Sequence, residues 1–337
     1  MYTAKDILLK LSDSCGFGGL EDTLEIVEKY LMEFMPLKRH GNSLVGLMAG
    51  TCDKTILLDA HIDEIGMYVT EVDSEGFVKV TAAGGIDPRI LGACEVVIFG
   101  KEKLAGVFCS TPPHLSKGDD NTAPKLSDLL IDTGLKNAAD LISVGDRVCF
   151  KPNTKELLGQ RVSGKSLDNR AGVTALILAA KLLHDTILPV NVIFSFSDME
   201  EVGLRGARTL SFDASPDWSI TVDVSFGDCP NVPKEQTGTL GKGTMVGISP
   251  VLSKKMTDGI MSLADKNGIP YQKEIMGGTT STNADVISLT KSGVPTALLS
   301  IPLRNMHTPT EVVDLDDIET TARLIAEFIL SAEEYLL

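Results

Sequence analysis

Two histidines and a set of carboxylates fall at the ends of apolar runs or just after them, where open α/β sheets build their sites. The run at residues 55–60 leads straight into His61-Ile62-Asp63-Glu64. On an extended backbone, residues two apart point to the same side, so Asp63 lies beside His61. A metal-bound imidazole usually gives its other N–H to a carboxylate, which makes His61 a candidate ligand and Asp63 its orienting partner. A second run, at residues 190–197, ends in Asp198-Met199-Glu200-Glu201, which puts two adjacent carboxylates at a strand terminus. Neighbours on an extended segment face opposite ways, so one can bind metal while the other faces an attacking water.

Asp168, in Ser166-Leu167-Asp168-Asn169-Arg170, reads by itself as an ordinary helix cap. Its company with other donors adds a ligand reading. Asp223 interrupts the apolar stretch Thr221-Val222-Asp223-Val224, where an unpaired charge is costly and needs a cation or a hydrogen-bonding partner. A buried salt bridge and a metal ion both meet that need. His307 follows another apolar run, at 297–303. Mixed imidazole and carboxylate donors suit zinc, cobalt or manganese better than calcium or a thiolate-bound centre. Two such ions about 3.5 to 4 Å apart, sharing a carboxylate, form an arrangement used in aminopeptidase hydrolysis.

The elements that must position these residues follow from hydrophobic periodicity. Residues 21–35 place Leu24, Val27, Leu31 and Phe34 on one helical face, and 55–60 reads as a buried strand. From about residue 66 to 150 the character changes to short β-branched runs (66–72, 77–81, 95–99, 147–150) between Gly, Pro and Asp turns. An α/β pattern then returns, with helices over 171–183 and 254–266 and strands at 190–197 and 219–224. A final helix is expected from Asp314, which can cap it, with Ile318, Leu324, Ile325, Phe328 and Ile329 toward the core. The expected fold is thus α/β, divided by a small β-rich insertion. The catalytic domain takes residues 1–66 and 161–337, and the insertion 67–160.

The chain has 337 residues, with 46 Asp and Glu against 31 Lys and Arg, so its surface repels phosphate backbones and anionic membranes. Nucleic acid and membrane are therefore excluded as expected partners. Cys15, Cys52, Cys94, Cys109, Cys149 and Cys229 are scattered, form no C-x-x-C pair and read as unpaired thiols of a reduced compartment. With no apolar leader at the start and no stretch of about 20 apolar residues, a cytoplasmic protein is expected.

The motifs DAHIDEIG (59–66), SLDNRAGV (166–173), DMEEVGLRGA (198–207), VDVSFGDCP (222–230), MGGTTSTNAD (276–285) and NMHTPTEVV (305–313) occur in that order. Across the whole chain they resemble the tetrahedral aminopeptidases, metallopeptidase family forty-two, whose members include glutamyl, lysyl and leucyl aminopeptidases and proteins labelled endoglucanase. The resemblance implies that His61 and Asp223 hold one metal, that Glu201 and His307 hold the other, and that Asp168 bridges them. It makes Asp63 the group that orients His61, and Glu200 the general base. It also implies a phosphorylase/hydrolase-like mixed sheet with helices on both faces and an inserted β-barrel that mediates dimerisation. Two divalent ions per subunit, peptides with free N-termini as substrates, and dimers assembling into a tetrahedral dodecamer complete the expectation.

Two places depart from the family pattern. Val224-Ser225-Phe226 follows Asp223 where a Thr-His step is frequent, and the loop at 277–285 is extended. Neither removes an expected ligand, but the second leaves side-chain preference open. Glycan hydrolysis would need two carboxylates flanking a sugar, and these carboxylates are better used as ligands. A two-metal deacylase of N-acyl amino acids and a non-catalytic scaffold remain as rivals. Gly84-Gly85 and Gly241-Lys242-Gly243 read as turns, His40, His114 and His184 as loop or surface residues, and Glu333-Glu334 as a solvated helix face.

Overall fold

A computed structural model describes residues 2–112, 114 and 123–336. Thr3 opens helix α1 (Ala4–Asp13) through a reciprocal cap with Asp6, and α2 (Glu21–Leu31) buries Leu24, Val27 and Leu31. The helix expected over 21–35 ends at Leu31 with Met32 as its C-cap, and Pro36 keeps helical backbone from resuming at Met35. Strands β1 (Leu37–His40), β2 (Ser43–Met48) and β3 (Thr55–His61) follow. Next come β4 (Gly66–Val72), β5 (Val78–Ala83), β6 (Glu95–Phe99), β7 (Lys103–Phe108), β8 (Ile131–Asp132) and β9 (Arg147–Phe150). These six close into a barrel in the order β4-β5-β8-β7-β6-β9 around its own core of Met67, Val80, Val96, Ile98, Phe108 and Val148.

The chain returns through β10 (Lys155–Glu156) and β11 (Arg161–Gly164) to α3 (Leu167–Leu183), β12 (Asn191–Ser197), α4 (Arg205–Ala214) and β13 (Trp218–Phe226). Then come β14 (Thr244–Ile248), α5 (Lys254–Asn267), β15 (Tyr271–Ile275), α6 (Ala284–Ile287), β16 (Thr296–Leu303), β17 (Glu311–Asp314), α7 (Leu315–Leu330) and α8 (Ala332–Tyr335). The main sheet is mixed, with order β1-β2-β12-β3-β13-β16-β14-β15. Its centre, β12-β3-β13-β16, is parallel, and β2 and β14 join that centre antiparallel. A small sheet β10-β11-β17 ties the return from the barrel to the start of α7.

The two faces of the sheet differ in chemistry. On one, Ile56, Leu58, Phe194, Phe196, Ile220 and Val222 are buried with apolar residues of α3, α5 and α7 in the largest core. Continuous apolar strands are expected where helices cover a parallel sheet. On the other, α4 and α6 cover only Leu57 and its neighbours. Beyond them the alternate residues turn polar: Asp59 and His61 on β3, Thr221, Asp223 and Ser225 on β13, and Ser300 on β16. That polar patch at the C-terminal ends of the parallel strands is where the site forms.

Among the described residues no helix is long and apolar enough to cross a membrane. The expectation of unpaired thiols fails at one pair: Cys15 and Cys149 form a disulfide between the loop after α1 and barrel strand β9. They are 134 residues apart in sequence, so their meeting depends on how the barrel docks and leaves no trace in cysteine spacing.

Candidate metal centre

His61 ends β3 and Asp223 lies on the adjacent strand β13, both on the polar face. Register makes them neighbours, since Asp59 and Thr221, two residues before each, are paired. The His61 Nε2 to Asp223 Oδ1 distance is 3.7 Å, and the same nitrogen lies 3.1 Å from Asp168 Oδ1. On the far side of the Asp168 carboxylate, Oδ2 is 3.3 Å from His307 Nε2, which is itself 3.4 Å from Glu201 Oε1. Asp168 therefore belongs to two donor groups, His61-Asp168-Asp223 and Asp168-Glu201-His307. Within each group the donor atoms all lie within 4.8 Å of one another.

Local structure explains why Asp168 is free for this. The cap it could have supplied to α3 is made by Asn169, whose Oδ1 accepts the Gly172 N–H at 3.0 Å. Asn169 Nδ2 also donates to the Val222 carbonyl at 2.8 Å and so fixes the loop against β13. Asp223 has no Lys or Arg partner among the described residues, and the cationic group that faces it there is the His61 imidazole at 3.7 Å.

Glu200 and Glu201 occupy the turn after β12, where Met199 takes a left-handed backbone with φ 59°. Asp63 secures that turn: Oδ1 accepts the Glu200 N–H at 3.0 Å and Oδ2 the Glu201 N–H at 3.2 Å. Asp63 Oδ1 also lies 3.4 Å from His61 Nδ1. Asp63 thus lies beside His61 and also fixes the backbone of both glutamates.

His307, with φ 61°, is held in its own left-handed turn by Glu311. Sequence reasoning quoted Glu311 within a motif and gave it no role. Its Oε1 accepts the His307 N–H at 2.8 Å and its Oε2 the Asp168 N–H at 3.1 Å, so one buried carboxylate ties the two loops together. The signal was an acid four residues beyond a candidate ligand. The reading of Gly84-Gly85 as no more than a turn also needs correction. The Gly85 carbonyl lies 3.0 Å from His307 Nδ1, and a Cβ at Gly85 would sit 2.7 Å from that nitrogen. A glycine is needed for this approach, which fixes which ring nitrogen faces the carboxylates. Asp59 was likewise missed; it accepts from Ser195 Oγ at 2.5 Å and Asn283 Nδ2 at 2.9 Å, behind His61. His40, His114 and His184 lie outside the cluster, as expected.

The charge balance is acidic. Hydrogen bonds to Asp168 and Glu201 push His307 up to about 11 against its burial. Burial, joined by the neighbouring Asp223, Glu201 and Asp168, pushes Glu200 up to about 9 although His61 opposes it. Burial also raises Asp223 and Glu201. Asp168 is buried too, yet its bonds to His307 and His61 hold it well below the usual carboxylate range. Two imidazoles against this many buried carboxylates make a donor set of nitrogen and oxygen with surplus negative charge, which fits first-row divalent cations. The cluster opens into a cavity of about 710 Å³, bordered on one side by Thr280, Ser281 and Thr282 of the extended loop. Asp285 braces that loop by accepting the Thr280 and Ser281 N–H groups.

Comparison with known proteins agrees with this architecture. The model of the M42 glutamyl aminopeptidase family matches residues 41–324. Lysyl aminopeptidase of Pyrococcus furiosus is 30% identical over 331 residues, which covers 95% of this chain and 94% of that protein. Among solved structures, an aminopeptidase from the archaeon Desulfurococcus kamchatkensis superposes with a TM-score of 0.91 at 31% identity, over 98% of this chain and 95% of that one. The Pyrococcus horikoshii TET1 peptidase, which can assemble into a tetrahedron or a large octahedral shell, gives 0.86 at 33% identity, over 97% and 99%. With its fold, motifs and donor cluster accounted for together, the chain belongs to the M42 glutamyl aminopeptidase family.

Proposed function

We propose that this chain is a two-metal aminopeptidase that releases the first residue of peptides with free N-termini. The observation that carries the reading is the shared carboxylate of Asp168, one oxygen toward His61 and the other toward His307. His61 and Asp223 would hold one divalent ion, Glu201 and His307 the other, with Asp168 common to both. Zinc or cobalt fits best, and manganese fits the same donors. Such ions supply acidity to a bound water and polarise the scissile carbonyl. Cations on the neighbouring carboxylates would offset the charges that raise Glu200, so that Glu200, within 3.9 Å of His61 and next to the Glu201 donor, is ionised, takes the proton of the attacking water and passes it to the leaving amine. Asp63 acts as a positioning residue by holding the Glu200 and Glu201 backbone. Glu311 does the same for Asp168 and His307.

Residues 1–66 and 161–337 form the catalytic domain in this reading, and 67–160 the dimerisation domain. Dimers would build a tetrahedral dodecamer, a reading supported by the assembly named for the Pyrococcus horikoshii relative. Disulfides such as Cys15–Cys149 are rare in a reducing cytoplasm.

The test uses free and N-acetylated aminoacyl-p-nitroanilides on metal-free protein titrated with Zn²⁺, Co²⁺ or Mn²⁺. Metal-dependent release of p-nitroaniline from free-amine substrates alone supports the reading, whereas release of acetate from the N-acetylated substrates alone replaces it with a deacylase. Glu200→Gln should lower kcat by about 10² to 10⁴ while two ions per chain are retained. Full activity in that variant would remove Glu200 as the base.

A further inference from the structure

The cavity beside the metal-donor cluster holds a carboxylate that the mechanism does not use. Glu274, on β15, lines the same space as His61, Asp168 and Asp223. Its hydrogen bonds come from two hydroxyls, Ser300 Oγ to Oε2 at 2.6 Å and Ser225 Oγ to Oε1. Among the described residues no Lys, Arg or His forms an ion pair with it; Lys273, next along the strand, borders the same cavity but is exposed and makes none. The contrast with Glu64 is instructive: that buried carboxylate has the Lys165 ammonium at 2.7 Å. A largely buried carboxylate without a cation is expensive, and burial pushes the Glu274 carboxyl up.

Position gives the missing cation a source. Ser225 lies two residues past Asp223 on β13, and Ser300 is opposite Asp223 on β16, so all three side chains share the polar face. Two residues of extended strand span about 6.6 Å, which separates the metal donor from the serine that binds Glu274. Gly247 is opposite Glu274 on β14, and a Cβ there would meet Leu298 and Met276 at 3.0 and 3.1 Å. Met245, Met276 and Phe226 also line the cavity and give it apolar surface.

We propose that Glu274, presented by Ser225 and Ser300, is the specificity-determining group of the side-chain pocket, and that it selects an N-terminal residue with a long cationic side chain, lysine or arginine. This rests on the aminopeptidase reading above. The methylene stem of such a residue lies along that apolar surface, and its charged end reaches Glu274 while its α-amine stays at the metal donors.

The experiment compares kcat/KM for Lys-, Arg-, Leu- and Glu-p-nitroanilide on metal-loaded wild type and Glu274→Gln. Wild type should favour Lys or Arg over Leu by at least about tenfold, and Glu274→Gln should lower the Lys-to-Leu ratio by about 30-fold. Wild-type preference for Leu or Glu, or a ratio left unchanged by the substitution, overturns the proposal while leaving the aminopeptidase reading intact. Absence of turnover on every free-amine substrate defeats both. If the variant does not fold, competition on wild type decides: lysine should inhibit Leu-p-nitroanilide hydrolysis at least about tenfold more strongly than norleucine, its uncharged counterpart. Equal inhibition refutes the assignment.

Discussion

Replacing Lys165 by Met keeps the length of the side chain and removes its charge from one of the most buried ion pairs in the protein. Lys165 Nζ is 2.7 Å from Glu64 Oε2, with side-chain exposures of 1% and 3%. The ammonium also donates to the Ser14 carbonyl at 2.7 Å, and Glu64 Oε1 accepts the Gly16 N–H at 2.5 Å. The pair therefore fastens the loop after α1 to the start of α3, behind the donor cluster. Removing one partner of a buried pair costs about 3 to 5 kcal/mol, because the other charge stays buried without compensation. The nearby Arg170 guanidinium also attracts Glu64, which places the expected loss at the lower end, about 3 kcal/mol. Urea unfolding at fixed protein and metal concentration measures it, and the double variant Lys165→Met/Glu64→Gln should recover about half or more. The pH dependence carries its own sign. In wild type, burial raises Glu64, but Lys165 and Arg170 outweigh it and hold the carboxyl below its ordinary 4.5. That contribution is present above the unfolded value and is lost as pH falls through the lower folded one. In Lys165→Met, burial dominates and the folded value rises, so the deficit should be largest near neutrality and shrink toward pH 4. A loss below about 1 kcal/mol, or a double variant no more stable than the single, refutes the reasoning.

Chelation of the proposed ions should lower Tm by roughly 5 °C or more, because ligands that bind only the folded state stabilise it by about 4 kcal/mol at a thousand times Kd. Identical melting with and without chelator, together with fewer than one ion per chain by elemental analysis, would count against the donor cluster. Asp317, at the start of α7, accepts the Gly241 and Gly243 N–H groups, each at 2.7 Å, and burial pushes its carboxyl up to about 6. Its folded value is raised, so its stabilising contribution is full below about pH 4 and is lost as pH rises through about 6, a change of at most about 3 kcal/mol. Wild type should therefore lose stability relative to Asp317→Asn between pH 4 and 7 in denaturant titrations. A flat difference across that range contradicts the buried-carboxyl account.

The candidate site was legible to the extent that chemistry tracked local pattern. His61, Glu200 and Glu201 end or follow apolar strands, and Asp223 interrupts one; such positions stand out because a charge inside an apolar run is costly without a partner. Asp168 was ambiguous from sequence, since a residue before a helix reads as a cap. Only the structure shows Asn169 capping α3 instead. The expected helix over 21–35 ended at Leu31, although Met32 and Phe34 carry no local signal against helix. α4 and strands β14 and β15 went unread because they are short and their partners are distant in sequence.

The sequence by itself determined the α/β class, the β-rich change of character near residue 66, the acidic charge and which residues are candidate donors. All of these depend on residue type and period along the chain. Tertiary structure decided which candidate donors share a carboxylate, that Glu311 reaches Asp168, 143 residues away, and that Gly85 from beside the barrel touches His307. It also decided that Cys15 meets Cys149, and that Glu274 lies with two serines, 49 and 26 residues away, in the cavity beside the donors. Those contacts arise from strand register and from the docking of the barrel, and neither leaves a periodic mark in the chain.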